Sequence, residues 1–396
     1  MRLYPLVAAL CLSACATGAP APSSRGVSSA WATFDAQRVT GSGAEGLADR
    51  ASARTLSIDD PVRVASVSKL AVALGVMRLV EQSKLDLDED VSTRLGWRLR
   101  NPAFPDSPIT LRLLLSHRSS LRDNGEGYII PLGQTVQART ADPRMFDAEH
   151  APGSYFRYAN INFPVIATVM EKASGERFDR LMRRLVMMPL GLDACYNWTM
   201  CSDGAFTRAV VLYDTDGSAR LDDLRGTRPP CPVYSTPTSG CDLAAYVPGT
   251  NGGLFSPQGG LRISARGLAM IGQLLINNGR HEGAPFLSEA SIATVLQPAW
   301  RFEGSNGATD DGFYCAYGLA TQSLPVSAAG CHDDLFGARA MTGHAGDAYG
   351  VRSGLWIDPM TRTGIAFFAT NNGASPSKGR SAYRAIEESL AAKLDR

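Results

Sequence analysis

Residues 66–82 read as almost continuously apolar, with Val67, Leu70, Ala71, Val72, Ala73, Leu74, Val76, Met77, Leu79 and Val80 leaving hardly any polar face. A run of that length favours a helix, and a helix apolar all round is buried on every side. Ser66 stands at its start. Ahead of it, partial alternation through Trp31, Thr33 and Phe34 predicts a strand over 30–38, and a second is expected over 46–50. From about residue 90 to 310 the pattern becomes helices between long Gly/Pro/Asp loops. These are a short turn at 111–116, a helix over 164–174 ended by Gly175, an amphipathic helix over 177–188 (Phe178, Leu181, Leu185, Met188) and another over 265–277 (Met270, Ile271, Leu274, Leu275). Residues 204–258 are rich in Gly, Pro, Ser and Asp and form a long irregular excursion. Strands return over 317–321, 340–343, 351–357 and 364–370, the last two joined by the turn Asp358-Pro359-Met360-Thr361. A final helix over 382–394 aligns Tyr383, Ile386, Leu390 and Leu394. Strands at both ends with helices between them predict an α/β (α+β) fold. Its sheet domain is built from 28–88 and 310–396, and a large, mainly helical insert with long loops spans 89–309.

The N-terminus sets the compartment. Arg2 precedes an apolar stretch over 3–12, broken only by Tyr4 and Pro5, and Leu12-Ser13-Ala14-Cys15 follows. A charged head, a short apolar segment and small residues at its end describe a cleaved signal peptide. The ending resembles the bacterial lipobox, in which the Cys is lipidated and becomes the mature N-terminus. Residues 16–27 lack large apolar groups and read as a tether, so 1–27 is assigned to lipoprotein signal peptide and tether. The expected location is the periplasmic side of the outer membrane, reached through lipid on Cys15. Beyond residue 30 no apolar stretch is long enough to span a bilayer. Net charge is +1, from 39 basic and 38 acidic residues, without a like-charge run, and nucleic acid is not an expected partner.

Setting aside Cys11 and Cys15 leaves six cysteines, an even number that suggests disulfides in an exported chain. Loop closure costs least between near neighbours, which predicts Cys195–Cys201, Cys231–Cys241 and Cys315–Cys331. No Cys-x-x-Cys or His-Glu-x-x-His spacing occurs, so neither a metal nor another cofactor is expected.

Three short motifs carry chemistry together. In Ser66-Val67-Ser68-Lys69 the first and last residues project from one face of a helix. A Lys held there among apolar groups has its charged form disfavoured and can serve as base for the hydroxyl, while the helix start favours an oxyanion. Alone, such a pair is common by chance and more often means a capping Ser beside a snorkelling Lys. In Tyr158-Ala159-Asn160 the phenol and the amide face the same side of extended backbone. A cationic Lys nearby would ease ionisation of the phenol, and the amide would orient that Lys and the substrate. In His344-Ala345-Gly346, Gly346 admits a substrate backbone and the following N–H, on Asp347, is placed as an oxyanion donor beside that of Ser66.

In order and spacing these motifs resemble those of the serine β-lactamase and penicillin-binding-protein superfamily. The nearest likeness is the class C β-lactamase-like branch, which includes esterases, D-aminopeptidases and D-amino-acid amidases. The wording around Ser66, the stretch 109–119 and Gly259-Gly260-Leu261-Arg262-Ile263-Ser264 strengthen the likeness, which covers roughly residues 30–392. Ser120 and Gly267 depart from the family's usual Gly and acid. The resemblance implies an antiparallel sheet flanked by helices, a helical insert and a cleft between them. It also implies a serine hydrolase of ester or amide bonds working through an acyl-enzyme on Ser66. Lys69 and Tyr158 would be catalytic, and Asn160, His344 and Gly346 would orient the substrate, a small ester, amide or peptide, peptidoglycan-derived ones included. Alternatives are a penicillin-binding-type D,D-peptidase, a β-lactamase, or a non-catalytic cell-wall binding module. His344 stands where β-lactamases carry a Lys that holds the substrate carboxylate, so neutral esters and amides are expected to outrank β-lactams. Arg352, on the next strand, is the candidate replacement for that charge.

Overall fold

The computed structural model describes residues 26–236, 240–371, 373 and 376–395. Cys15 and the rest of the expected signal peptide lie outside the described residues. The main sheet takes two strands from the start of the chain, β1 (Ser28–Asp35) and β2 (Val39–Glu45). Six more come from its last third: β3 (Trp300–Arg301), β4 (Ala316–Tyr317), β5 (Gln322–Leu324), β6 (Met341–Ala348), β7 (Val351–Asp358) and β8 (Thr363–Thr370). Their order is β3-β4-β5-β6-β7-β8-β1-β2, every pairing antiparallel. The principal helices are α1 (Ser68–Glu81), α2 (Asn162–Ser174), α3 (Ala265–Ile276) and α4 (Ala385–Ala391).

The sheet is covered on both faces, so its central strands are apolar throughout while their side chains sort by alternation. In β8, Ala366 and Phe368 enter the large core with Leu268, Ile271 and Leu275 of α3. Ile365, Phe367 and Ala369 enter a second core with Trp356, Tyr383 and Leu390 on the α4 side. The ring of Phe34 marks the tightest point of the first interface. A Cβ on Gly272 of α3 would lie 2.1 Å from Phe34 Cζ, and one on Gly364 of β8 would lie 2.4 Å from the same atom. α1 is buried along almost its whole length, as its sequence requires.

The structure differs from the sequence expectations where side chains are small. The second strand is β2, not 46–50; Leu47–Asp49 pairs instead with Arg54–Thr55. β2 is Val-Thr-Gly-Ser-Gly-Ala-Glu, and its surface is supplied by the Trp31 ring, which a Cβ on Gly43 would meet at 2.8 Å. The single strand expected over 317–321 is a hairpin, with Gly318 N–H donating to Thr321 O at 2.8 Å between β4 and β5. β6 runs on through the His-Ala-Gly motif, because its pairing with β7 continues to Val351. The amphipathic helix beginning at Phe178 changes from α to a π turn over Arg183–Met187. The three disulfides join Cys195 to Cys201, Cys231 to Cys241 and Cys315 to Cys331.

A small sheet positions the start of α1. Leu261–Ile263 pairs with Val62–Arg63 on one side and Cys195–Tyr196 on the other. Val64 N–H also donates to Leu261 O at 3.1 Å, which ties the chain entering Ser66 to the segment 259–264. Among the described residues no helix is long and apolar enough to cross a membrane.

Gly272→Ala should destabilise the fold by about 1–2 kcal/mol, since overpacking against Phe34 outweighs the better helix propensity of Ala. Urea unfolding with the disulfides intact measures this. In a Phe34→Leu background the same change should become neutral or stabilising, and equal losses in both backgrounds would contradict the contact.

Candidate active site

Ser66 lies in the 3-10 turn Ala65–Val67 that leads into α1. Ala65 has φ +46°, a left-handed conformation unfavourable for a residue with a side chain. Neighbouring groups hold the turn: Ser68 Oγ donates to Ala65 O at 2.6 Å and accepts Leu261 N–H at 3.0 Å, and Tyr196 Oη donates to Ser68 O at 3.0 Å. β6 lies against the same turn. A Cβ on Gly346 would meet Ser353 Oγ at 2.3 Å, Val64 O at 2.5 Å and Ser66 N at 3.2 Å. The close approach that requires Gly346 is thus first of all the chain's own, between sheet and nucleophile turn.

Lys69 Nζ donates to three acceptors, Ser66 Oγ at 3.0 Å, Asn160 Oδ1 at 2.9 Å and Gln258 O at 2.8 Å. The residue is fully buried. Burial pulls its pKa down to about 7, opposed by the charge of Asp123. Asn160 bridges the two, because its Nδ2 donates to Asp123 Oδ2 at 3.0 Å. Asp123 also accepts the N–H groups of Asn160 and Ile161, both at 2.9 Å. Neither Asp123 nor Gln258 carries a sequence signal; each is a polar residue in a loop, and Gln258 contributes only its backbone.

The Tyr158 ring stacks on His117 and Tyr314, with centroids 4.2 and 4.6 Å away, and Lys69 Nζ lies 4.9 Å from its centroid. Its hydroxyl is buried without a well-formed partner. Burial pushes the phenol well above its ordinary pKa, which the nearby Ser66 and Tyr314 hydroxyls oppose only in part. The expectation that Lys69 would ease ionisation of Tyr158 is therefore reversed. The phenol is held protonated, and the amine is the group poised near neutrality.

The stretch 109–119 has a structural use here. His117 Nδ1 accepts Ala159 N–H and the Asn162 amide, each at 3.0 Å, and His117 O accepts Arg157 N–H at 3.0 Å. Ser119 Oγ donates to Asn162 Oδ1 at 2.6 Å. Together these fix the Tyr158–Asn160 segment. Ser120 adopts φ +64°, which explains why Gly is usual there, and Asn101 Nδ2 reaches its Oγ at 3.1 Å.

Two expected substrate contacts are corrected. His344 is buried and does not line the cleft. Its Nε2 accepts from Tyr317 Oη at 2.8 Å and its Nδ1 donates to Ala345 O, so both ring nitrogens are engaged. Burial, reinforced by Lys69, lowers its pKa to about 3, and the ring is neutral. Arg352 does line the cleft, but it pairs across the strands with Asp347 at 2.6 Å and is no free carboxylate anchor. Ser66, Tyr158, Asn160, Gln258, Gly346 and Asp347 share a cleft of about 760 Å³.

Comparison with known proteins fits this geometry. Residues 21–389 match the family described as Beta-lactamase. Esterase EstB from Burkholderia gladioli is 34% identical over 171 residues, 38% of this chain and 42% of the esterase. The D-alanyl-D-alanine-carboxypeptidase/endopeptidase AmpH of Escherichia coli (strain K12) is 29% identical over 147 residues, 35% of this chain and 37% of its own. The chain therefore spans under half the length of these curated relatives. The solved D-amino acid amidase from Ochrobactrum anthropi SV3, complexed with D-phenylalanine, shares the fold. Its TM-score is 0.64 at 19% identity, over 94% of this chain and 96% of the amidase.

If Lys69 must be neutral to accept the Ser66 proton, kcat/KM for a neutral ester should rise with pH through an apparent pKa near 7. Below that value the ammonium forms and turnover falls; above it the rate levels off, because Tyr158 stays protonated. Lys69→Arg should remove this limb and slow turnover by about a hundredfold to ten-thousandfold. A flat profile across neutrality in the unmodified protein would contradict Lys69 as the base.

Proposed function

The chain belongs to the Beta-lactamase family, and on that premise we propose that it is a serine hydrolase cleaving ester or amide bonds through an acyl-enzyme on Ser66. The carrying observation is the buried Lys69 amine, 3.0 Å from Ser66 Oγ, with its pKa brought down to about 7. In this reading neutral Lys69 accepts the hydroxyl proton as Ser66 Oγ attacks the carbonyl carbon. The N–H groups of Ser66 and Asp347 receive the developing oxyanion. Tyr158, held protonated, gives its proton to the leaving oxygen or nitrogen and is resupplied by Lys69. Water then attacks the acyl-enzyme, losing a proton to neutral Lys69 through Tyr158, and Ser66 recovers its proton as the acid departs. Asn160, anchored by Asp123, keeps Lys69 aimed at Ser66.

The relatives' names support acyl substrates of this kind: an esterase, a D-alanyl-D-alanine carboxypeptidase and a D-amino acid amidase. Neutral esters and amides are favoured over β-lactams, because the neutral, internally bonded His344 offers no charge to a carboxylate beside the scissile bond. A fluorophosphonate probe should label the protein, with the adduct on the Ser66 peptide by mass spectrometry, and Ser66→Ala should abolish both labelling and hydrolysis of short acyl esters. An adduct elsewhere, or undiminished turnover by Ser66→Ala, would refute the mechanism.

We propose further that the chain is a lipoprotein of the outer membrane, anchored through Cys15 and facing the periplasm. The support is the signal-like segment ending in Leu12-Ser13-Ala14-Cys15 and the tether behind it. Cys15→Ser should release the protein from the membrane fraction; a variant that stays bound would exclude a lipid anchor at that residue.

A further inference from the structure

Arg63 stands three residues before Ser66, in the short strand Val62–Arg63, and lines the same cleft. Only 7% of it is exposed. Among the described residues its guanidinium makes no hydrogen bond or ion pair, and its Nε is buried without a partner. Its one close polar-aromatic contact is with the ring of Tyr349, 4.8 Å from centroid to guanidinium carbon. Tyr349 Oη lies 3.4 Å from Tyr234 Oη on the same wall. Asp222, whose charge reaches Arg63, is already bound by Arg262 at 2.8 Å and by Trp198 Nε1 at 2.7 Å. Burial, with repulsion from Arg262, lowers the Arg63 pKa only to about 10, so the group is cationic at neutral pH.

A buried cation without a hydrogen-bonded partner is costly, since the charge of Asp222, itself held by Arg262, repays its desolvation only in part. Of the other arginines lining the cleft, Arg384 is only part-buried, and the remaining three are paired. Arg352 pairs with Asp347 at 2.6 Å, Arg380 with Asp334 at 3.3 Å and Arg220 with Asp214 at 3.0 Å. Arg63 is thus set to receive an anion from the cleft, where a charge-assisted, two-pronged contact with a carboxylate is its natural complement.

The site also has sides. Tyr158 belongs to an aromatic wall continued by Tyr314 and Phe313, whose rings lie 4.6 and 4.8 Å apart in sequence. Arg63 groups instead with Tyr349 and Tyr234, and among the described residues no ring contact joins that group to the first wall. As Tyr158 serves the leaving group in the reading above, the leaving group occupies the first wall and the acyl part faces the Arg63 side. We propose that Arg63 forms an anion subsite for a carboxylate carried on the acyl part of the substrate, away from the scissile carbonyl. This rests on the acyl-enzyme reading, and it favours half-esters or amides of dicarboxylic acids and acyl groups with an acidic side chain.

The test compares matched substrates. The p-nitrophenyl half-ester of adipic acid carries the acyl carboxylate, p-nitrophenyl hexanoate lacks it, and 4-carboxyphenyl hexanoate carries it on the leaving group instead. Wild-type kcat/KM for the adipate half-ester should exceed that for the hexanoate by about tenfold or more, and Arg63→Gln should reduce that ratio about tenfold to a hundredfold. Arg63→Lys should keep part of the preference. A ratio unchanged by Arg63→Gln, no preference in the wild type, or a preference for the carboxylate on the leaving group would overturn the proposal. Should Arg63→Gln fail to fold by circular dichroism, the wild-type ratio and Arg63→Lys decide. Calorimetric titration with monomethyl adipate needs no turnover. Binding weakened about tenfold or more in Arg63→Gln would uphold the subsite even if no ester were hydrolysed, whereas no binding to the wild type would sink it.

Discussion

The whole site depends on keeping one amine dry. Lys69 sits on a helix that is buried almost throughout, so its ammonium gains nothing from water and must be held by fixed dipoles. Three acceptors surround it: a hydroxyl from its own helix entry, an amide from the insert and a backbone carbonyl from a distant loop. They come from different parts of the chain, so Lys69 is also a point at which distant segments are tied together. Desolvation and the charge of Asp123 act in opposite directions on it, and desolvation is the larger effect. The balance leaves the amine near neutrality, where it can take and return a proton.

The same burial decides what its neighbours can do. Tyr158 and His344 lie close to Lys69, and desolvation drives each toward its uncharged form, a protonated phenol and a neutral imidazole. With Lys69 titrating near neutrality beside two neutral hydrogen-bonding groups, acid and base roles are separated by environment, not by residue type. Ser66, Lys69 and Tyr158 thus form a cluster in which only the amine is poised to change its charge near neutral pH.

Rigidity is achieved by glycine and small-residue contacts. Gly346 brings β6 against the Ser66 turn, and Gly364 and Gly272 close the sheet and α3 around Phe34. The strained backbone at Ala65 persists because Ser68, Leu261 and Tyr196 hold the chain on both sides of it. Strain of this kind is stable only where surrounding packing over-determines it, and the small sheet through Leu261–Ile263 provides that packing.

The apolar run behind Ser66, the strands β7 and β8 and the three spaced motifs were legible in the sequence because each signal is local. A buried helix shows in its composition, a central strand in its apolar run, and a Ser and a Lys one helical turn apart in their spacing. The bridging pattern of the cysteines was legible for the same reason, being a matter of near neighbours. β2 was not, because its packing surface is the Trp31 ring laid over glycines, and an absent side chain leaves no trace in a hydrophobic pattern. Asp123, Gln258 and Arg63 were equally silent, since their importance comes from partners far along the chain, or from the lack of one. His344 shows the division most clearly. Its sequence position suggested a hand on the substrate, but tertiary packing gave both ring nitrogens to protein partners and removed its charge. Residue types and spacings thus determined which groups could take part in the chemistry. Burial, which depends on everything that packs around a group, decided which of them carry charge, which hold a proton and which face the cleft.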